Sequence, residues 1–159
     1  MNTLNQHTNK TANFVDIENA RYDDQREEMQ KIIDAGHCPF CMENFHLYHK
    51  QPTLKEGQYW LITSNQWPYD HTELHLLAIL KYHAETISEL KPEAGAELFQ
   101  LFGEIEKEKN IPGGGIAFRF GDTNYSAGSV KHLHAQLIIP AINEPDFEPT
   151  RFKIGKSKK

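Results

Sequence analysis

Near the end of the chain, the run His132-Leu133-His134-Ala135-Gln136-Leu137-Ile138-Ile139 alternates two kinds of side chain. Successive residues of a β-strand point to opposite faces. One face would therefore carry His132, His134, Gln136 and Ile138, and the other Leu133, Ala135, Leu137 and Ile139. An aliphatic face backing two imidazoles and an amide reads as a core strand that bears a polar site. The plain alternative is an amphipathic strand whose polar face is merely wet.

The segment Ser126-Ala127-Gly128-Ser129 leads directly onto this strand. It offers a turn of small residues whose backbone N–H groups could converge on an anion, with Ser129 adding a hydroxyl. A phosphate held there would lie beside an imidazole. Neutral imidazole is a competent nucleophile at phosphorus and can form a covalent intermediate. The loop therefore favours a site over a wet surface.

The rest of the chain supplies a sheet and its cover. Tyr59 to Ser64 reads as a strand with Trp60 and Ile62 on one face, and Leu74 to Leu80, nearly all apolar, suits a central strand. Ile116, Phe118 and Phe120 alternate with Ala117 and Arg119, the pattern of a half-buried strand. A first helix is expected from Asp23 or Asp24 to about Ala35, capped by the aspartates and ended by Gly36. A short helix is expected near Ala84 to Leu90. A longer one starts at Pro92, with Leu98, Leu101, Phe102 and Ile105 as its buried stripe. The order α-β-β-α-β-β points to an α+β domain, an antiparallel sheet of about five strands with two main helices.

A length of 159 residues fits one domain. The expected division is a flexible N-terminal arm over 1–19, the folded domain over 20–145 and a basic C-terminal tail over 146–159. The tail gathers Arg151, Lys153, Lys156, Lys158 and Lys159 and reads as a solvated, frayed end. A formal net charge of −5 argues against bulk binding to nucleic acid. No apolar run approaches the roughly 20 residues that cross a bilayer, and the first residues lack the pattern of a signal peptide. A cytoplasmic location, with no membrane partner, is the expectation.

The two cysteines stand as Cys38-Pro39-Phe40-Cys41. A CxxC pair supplies two of the four ligands of a zinc site, and His83 and His132 are candidates for the others. An unmetallated thiol pair and a redox pair are the rivals, although the flanking pattern is not the βαβ of thioredoxin-like proteins. His7, His37, His46, His49 and His71 fall in loops or near element ends, where solvated side chains are expected. Trp67-Pro68-Tyr69 would either wall a base pocket or anchor a surface loop.

The segment Ser126 to Pro140, SAGSVKHLHAQLIIP, resembles the signature of the histidine-triad superfamily. The likeness spans about Gln30 to Pro140 and includes Asn65-x-x-Pro68-Tyr69 and the stretch His75 to His83. Hydrolase members carry His-x-His-x-His. Gln136 in the third position is similar instead to the transferase branch, typified by galactose-1-phosphate uridylyltransferase and the dinucleoside tetraphosphate phosphorylases. The resemblance implies that His134 is the nucleophile and that Gln136 holds a phosphate oxygen of a covalent nucleotidyl-histidine. It further implies that Ser129 contacts the phosphate, that Asn65 bonds the ribose hydroxyls and that His75 lies under the site. Gly128 stands where many members have glutamine, in the phosphate-binding loop. The transferase branch and several bacterial members also hold a structural zinc with a Cys2His2 set, matched here by Cys38, Cys41, His83 and His132. Homodimers are frequent among such proteins.

A third histidine can pass protons to a leaving group; glutamine cannot titrate. The variant therefore favours transfer or phosphorolysis over hydrolysis, on nucleoside polyphosphates or nucleotide-sugars. A nucleotide-binding regulatory protein with little turnover, and a zinc-stapled interaction module that binds no nucleotide, are the alternatives from other classes.

Overall fold

The two aliphatic runs expected to be core strands lie side by side. In the computed structural model, which describes residues 13–157, β3 (Thr72–Leu80) pairs with β2 (Trp60–Ser64) on one side and β5 (His134–Pro140) on the other. β1 (Thr53–Glu56) and β4 (Gly115–Arg119) form the edges, giving the order β1-β2-β3-β5-β4 with every pairing antiparallel. His75 to Leu80 are all buried. A central strand covered on both faces has no reason to alternate, which explains the unbroken apolar run.

Each face of the sheet has its own cover. On one, Trp60, Ile62, Leu76, Ala78, Leu133, Ala135, Leu137 and Ile139 pack with Ala94, Leu98, Leu101, Phe102 and Ile105 of α3 (Pro92–Glu108). Burying a large aliphatic or aromatic side chain contributes roughly 1.5–3 kcal/mol, so this layer dominates the fold's stability. On the other face, Leu61, Leu77 and Ile79 meet Phe45 of α2 (Met42–Tyr48) and the flanking Phe40. α1 (Asp23–Ala35) adds Met29 and Ile32 to a smaller cluster with Val15 and Val130. Glu97 ties α3 to the β1–β2 turn, its carboxylate accepting the N–H groups of Gln58, Tyr59 and Trp60 at 2.8, 2.7 and 3.1 Å. A Cβ on Gly57 would come within 2.6 Å of that carboxylate, so glycine admits it.

Several expectations need correction. α1 ends at Gly36 in the left-handed region as expected, but Tyr22 is its N-cap and no side chain caps it. Asp23 and Asp24 sit instead in the first turn, where negative charge meets the positive end of the helix dipole. The helix expected near Ala84 to Leu90 is only a 3-10 turn, Ile87–Glu89, closed by a Thr86–Glu89 capping box. α2, β1 and the one-turn α4 (Thr123–Ser126) are too short for periodicity to announce. Phe120 falls beyond β4 and is 56% exposed. β5 begins at His134, so His132 and Leu133 are its lead-in.

The described parts of the expected arm and tail make defined contacts with the domain. Val15 is buried and bridges Val130, and the Asp16 N–H donates to the Ser129 carbonyl at 2.8 Å. Lys156 donates to the Asp16 and Glu18 carboxylates, while Arg119 donates to the Lys153 carbonyl. Residues 1–12 of the expected arm, His7 among them, and Lys158 and Lys159 of the tail lie outside the described residues. Among the described residues no helix is long and apolar enough to cross a membrane.

Candidate functional site

β5 carries the alternation into space. Leu133, Ala135, Leu137 and Ile139 join the α3 layer, which turns His134 and Gln136 to the opposite face. There they line a cavity of about 460 Å³ together with Phe40, Asn65, Tyr69, Arg119 and Ser129.

The state of each histidine follows from its partners. His134 Nδ1 lies 2.7 Å from the His132 carbonyl. A carbonyl only accepts, so Nδ1 holds the proton and Nε2 keeps its lone pair. Among the described residues nothing bonds that Nε2. Burial pulls the His134 pKa down to about 4, so the ring is neutral near pH 7. The Phe40 ring stands edge-on to it at 5.1 Å.

Gln136 is fixed from below. The Tyr69 N–H donates to His75 Nδ1 at 3.0 Å, so His75 Nε2 carries the hydrogen and donates to Gln136 Oε1 at 2.7 Å. With its oxygen taken, Gln136 has its amide N–H groups left for the cavity. His75 is buried, chiefly by which its pKa falls to about 4, and it does not line the cavity. It is a support for Gln136.

Ser129 and Ala127 reach the cavity wall. Gly128 does not: its N–H donates to Ser126 Oγ at 3.2 Å and its carbonyl accepts from Asn19 at 2.8 Å. Asn65 lines the cavity, but its Oδ1 accepts the Trp67 N–H at 2.9 Å and its Nδ2 lies 3.1 Å from His75 Nε2. Trp67 and Tyr69 both wall the cavity and anchor their loop to the start of α1, where Arg21 donates to the Trp67 and Pro68 carbonyls and Trp67 Nε1 donates to Asp24 at 3.1 Å.

Beside this cavity Cys38, Cys41, His83 and His132 bring their ligating atoms within 4.8 Å of one another. His132 Nε2 donates to the Leu80 carbonyl at 2.7 Å, which leaves Nδ1 as a lone pair 3.3 Å from Cys38 Sγ and 3.9 Å from Cys41 Sγ. His83 Nδ1 faces Cys41 Sγ at 3.5 Å, with Nε2 3.3 Å from the Glu85 carboxylate. Zinc bonds of about 2.0–2.3 Å imply tetrahedron edges of roughly 3.3–3.8 Å, close to these separations. Holding the far nitrogen of a ligating histidine by a carbonyl or carboxylate is how such rings are aimed. The cluster fits a structural zinc, with all four ligands supplied by the chain. Phe40, between the two cysteines, packs against both His132 and His134, so the cluster also sets the cavity wall.

Sequence reasoning missed some of the wall. His49, expected to be solvated, is 7% exposed, stacks on Phe45 at 4.8 Å and shares a hydrogen bond with Thr63 Oγ1 at 2.9 Å; burial draws its pKa down to about 4. Arg119 stands directly across from His134. The alternation in β4 hinted at its face, but not at its neighbour.

No family sequence model and no curated protein matches the chain. Solved structures do. A HIT family protein from Bacillus anthracis is 25% identical, over 74% of this chain and 82% of that one, with a TM-score of 0.55. A zinc-bound histidine triad family protein from Mycobacterium smegmatis is 22% identical over 72% and 81%, with a TM-score of 0.53. A hypothetical histidine triad nucleotide-binding protein from Sulfolobus tokodaii is 22% identical over 76% and 82%, with a TM-score of 0.52. The chain has the fold of the histidine-triad proteins.

Proposed function

We propose that this chain is a histidine-triad enzyme that attacks the α-phosphorus of a nucleoside polyphosphate or nucleotide-sugar through His134. The observation that carries the reading is the His134 Nε2 lone pair, freed by the bond from Nδ1 to the His132 carbonyl, at a cavity of about 460 Å³. That volume suits a small-molecule ligand. A new P–N bond forms as the P–O bond to the leaving group breaks, and an acceptor oxygen then displaces the histidine.

Gln136, held by His75, would donate its amide N–H to a phosphate oxygen, with the Ser129 hydroxyl alongside. Asn65 would meet the ribose. A glutamine gives the leaving group no proton, which favours leaving groups that depart as stable anions and phosphate-type acceptors over water. Transfer or phosphorolysis is therefore the proposed outcome. Zinc held by Cys38, Cys41, His83 and His132 would be structural, since four protein ligands leave no open position. A cysteine pair that serves as metal ligands would suit a reducing, cytoplasmic setting.

Intact-mass analysis after mixing the protein with dinucleoside polyphosphates and nucleotide-sugars tests this. A mass increase of one nucleotidyl group is expected, and it should vanish in His134→Ala. Unmodified protein with every substrate would remove the proposal.

A further inference from the structure

Among the described residues, two arginines on the cavity wall have no carboxylate partner. Arg21 and Arg119 line the cavity that holds His134 and Gln136. Every ion pair among the described residues is made by a lysine or a histidine instead. The carboxylates of Glu18, Glu28, Asp70 and Glu148 also border the cavity, but none forms an ion pair with either guanidinium; Asp70, which acts on Arg21 only through space, accepts from the Tyr22 hydroxyl. Arg119 lies across from His134 and Ala117 across from Gln136. Its side chain therefore leaves the sheet on the face of those two residues.

Both guanidinium groups are aimed by neutral partners. Arg119 Nε and Nη2 donate to the Lys153 carbonyl at 3.2 and 2.7 Å, and Nη1 donates to the Tyr69 hydroxyl at 2.9 Å. The Phe152 ring centroid is 3.8 Å from its central carbon. Arg21 lies 4.3 Å from the Tyr69 ring centroid and donates to the Trp67 and Pro68 carbonyls. Tyr69 is thus held between two cations, one on its ring face and one on its hydroxyl. Carbonyls, a hydroxyl and aromatic rings orient a cation without cancelling its charge, and each guanidinium keeps N–H donors to spare. Two like charges on one wall repel, and an anion beside them relieves that repulsion.

The proposed function gives the α-phosphate to Gln136 and Ser129. Resting on that reading, we propose that Arg21 and Arg119 hold the phosphates beyond it, so that the site selects nucleotides with a chain of two or more phosphates. Nucleotides whose leaving group is a neutral alcohol or amine would gain nothing from this wall. Guanidinium groups bond phosphate oxygens with two N–H donors at once. They would also stabilise the charge that builds on the departing phosphate, the task that glutamine in the third motif position cannot perform by giving a proton.

Calorimetric titration of the His134→Ala protein, which cannot turn over, with AMP, ATP and inorganic tripolyphosphate provides the test. Arg119→Gln and Arg119→Lys are added to that background, with melting temperatures to confirm the fold, and adduct formation from ATP is measured in parallel with His134 intact. ATP should bind at least about tenfold more tightly than AMP, as expected for charge-assisted bonds. Arg119→Gln should erase most of that preference and weaken tripolyphosphate, while AMP changes less than about twofold. Arg119→Lys should recover part of it. An equal loss for AMP and ATP would place Arg119 at the α-phosphate and overturn the proposal. An adduct with an unchanged ATP preference in Arg119→Gln also overturns it, and leaves His134 as nucleophile. Arg119-dependent tripolyphosphate binding with no adduct from any nucleotide would keep the anion site and remove the nucleotidyl reading.

Discussion

His132 and His134 are two residues apart and almost equally buried, 2% and 8% exposed, yet they are wired in opposite senses. His132 gives its Nε2 hydrogen to the Leu80 carbonyl and turns Nδ1 to two sulfurs. His134 gives its Nδ1 hydrogen to the His132 carbonyl and leaves Nε2 to the cavity. The same side chain becomes a metal-facing ligand in one case and a free lone pair in the other, and a backbone carbonyl decides which. The two regions are also coupled, because the residue that belongs to the cysteine cluster orients the ring proposed as nucleophile.

Exchanging the effects of the two histidines would break this comparison. We expect His134→Ala to lower turnover at least about a thousandfold, as removal of a nucleophile does, with zinc content unchanged and melting within a few degrees. We expect His132→Ala to do the reverse in kind: zinc is lost and melting falls clearly, since metal binding is coupled to folding. Activity would fall with it, because the backbone at 132, whose carbonyl aims His134, loses the metal anchor that holds it in place. Metal analysis, thermal melting and adduct mass on the same two preparations are the measurements. Zinc lost from His134→Ala, or an adduct still formed by it, would undo the division of labour.

A weaker cut on the cluster side sharpens the same point. Protein purified without chelators should hold about one zinc per chain, and Cys38→Ser should lower both the zinc content and the melting temperature, by several degrees. The Phe40 wall would loosen with it, because Phe40 lies between the two cysteines and packs on His134. Unchanged melting after Cys38→Ser, in protein free of metal, would mean that the cluster staples nothing.

The legibility of these features in the sequence follows from their range. The strand β5 and the stripe of α3 are periodic over many residues, so Leu133, Ala135, Leu98 and Phe102 are readable as core. The cysteine and histidine cluster is readable through its residue types and the family resemblance, although its members span Cys38 to His132. Arg119 was missed because strand register is a tertiary fact: nothing in Gly115–Arg119 says which residue of β5 it will face. His49 was misread because the imidazole that caps α2 is buried by Thr63 of β2, a tertiary partner, as well as by Phe45 one turn before it. Gly128 turned away because Ser126 and Asn19 compete for its backbone, a contest that a turn of small residues does not reveal.

A milder change probes the third motif position. Gln136→His would restore a titratable group beside His134, and the hydrolysis-to-phosphorolysis product ratio from one diadenosine polyphosphate should rise several-fold. His75 now donates to Gln136 Oε1 at 2.7 Å, so the new ring would need to accept that hydrogen and offer its other nitrogen to the leaving group. Wild-type protein that hydrolyses freely and ignores added phosphate would end the transferase reading, while the His134 assignment would stand.

The smallest effect belongs to Asn65, and it separates contact with ligand from support of the loop. Its side chain already caps the Trp67 N–H and lies against His75, so a loss in Asn65→Ala has two candidate sources, the loop and the ribose. A lost hydrogen bond to an uncharged hydroxyl costs about 0.5–1.5 kcal/mol, so affinity for a ribonucleotide should fall a few-fold, with zinc content and melting nearly unchanged. A 2′,3′-dideoxynucleotide supplies the missing control. If Asn65 bonds the ribose hydroxyls, wild type should bind the dideoxy compound more weakly, and Asn65→Ala should weaken it no further. If the same few-fold loss appears with both sugars, Asn65 acts by holding Trp67 and His75 in place. In that case it would belong with His75 among the supports of Gln136, and the ribose contact would have to come from elsewhere on the wall.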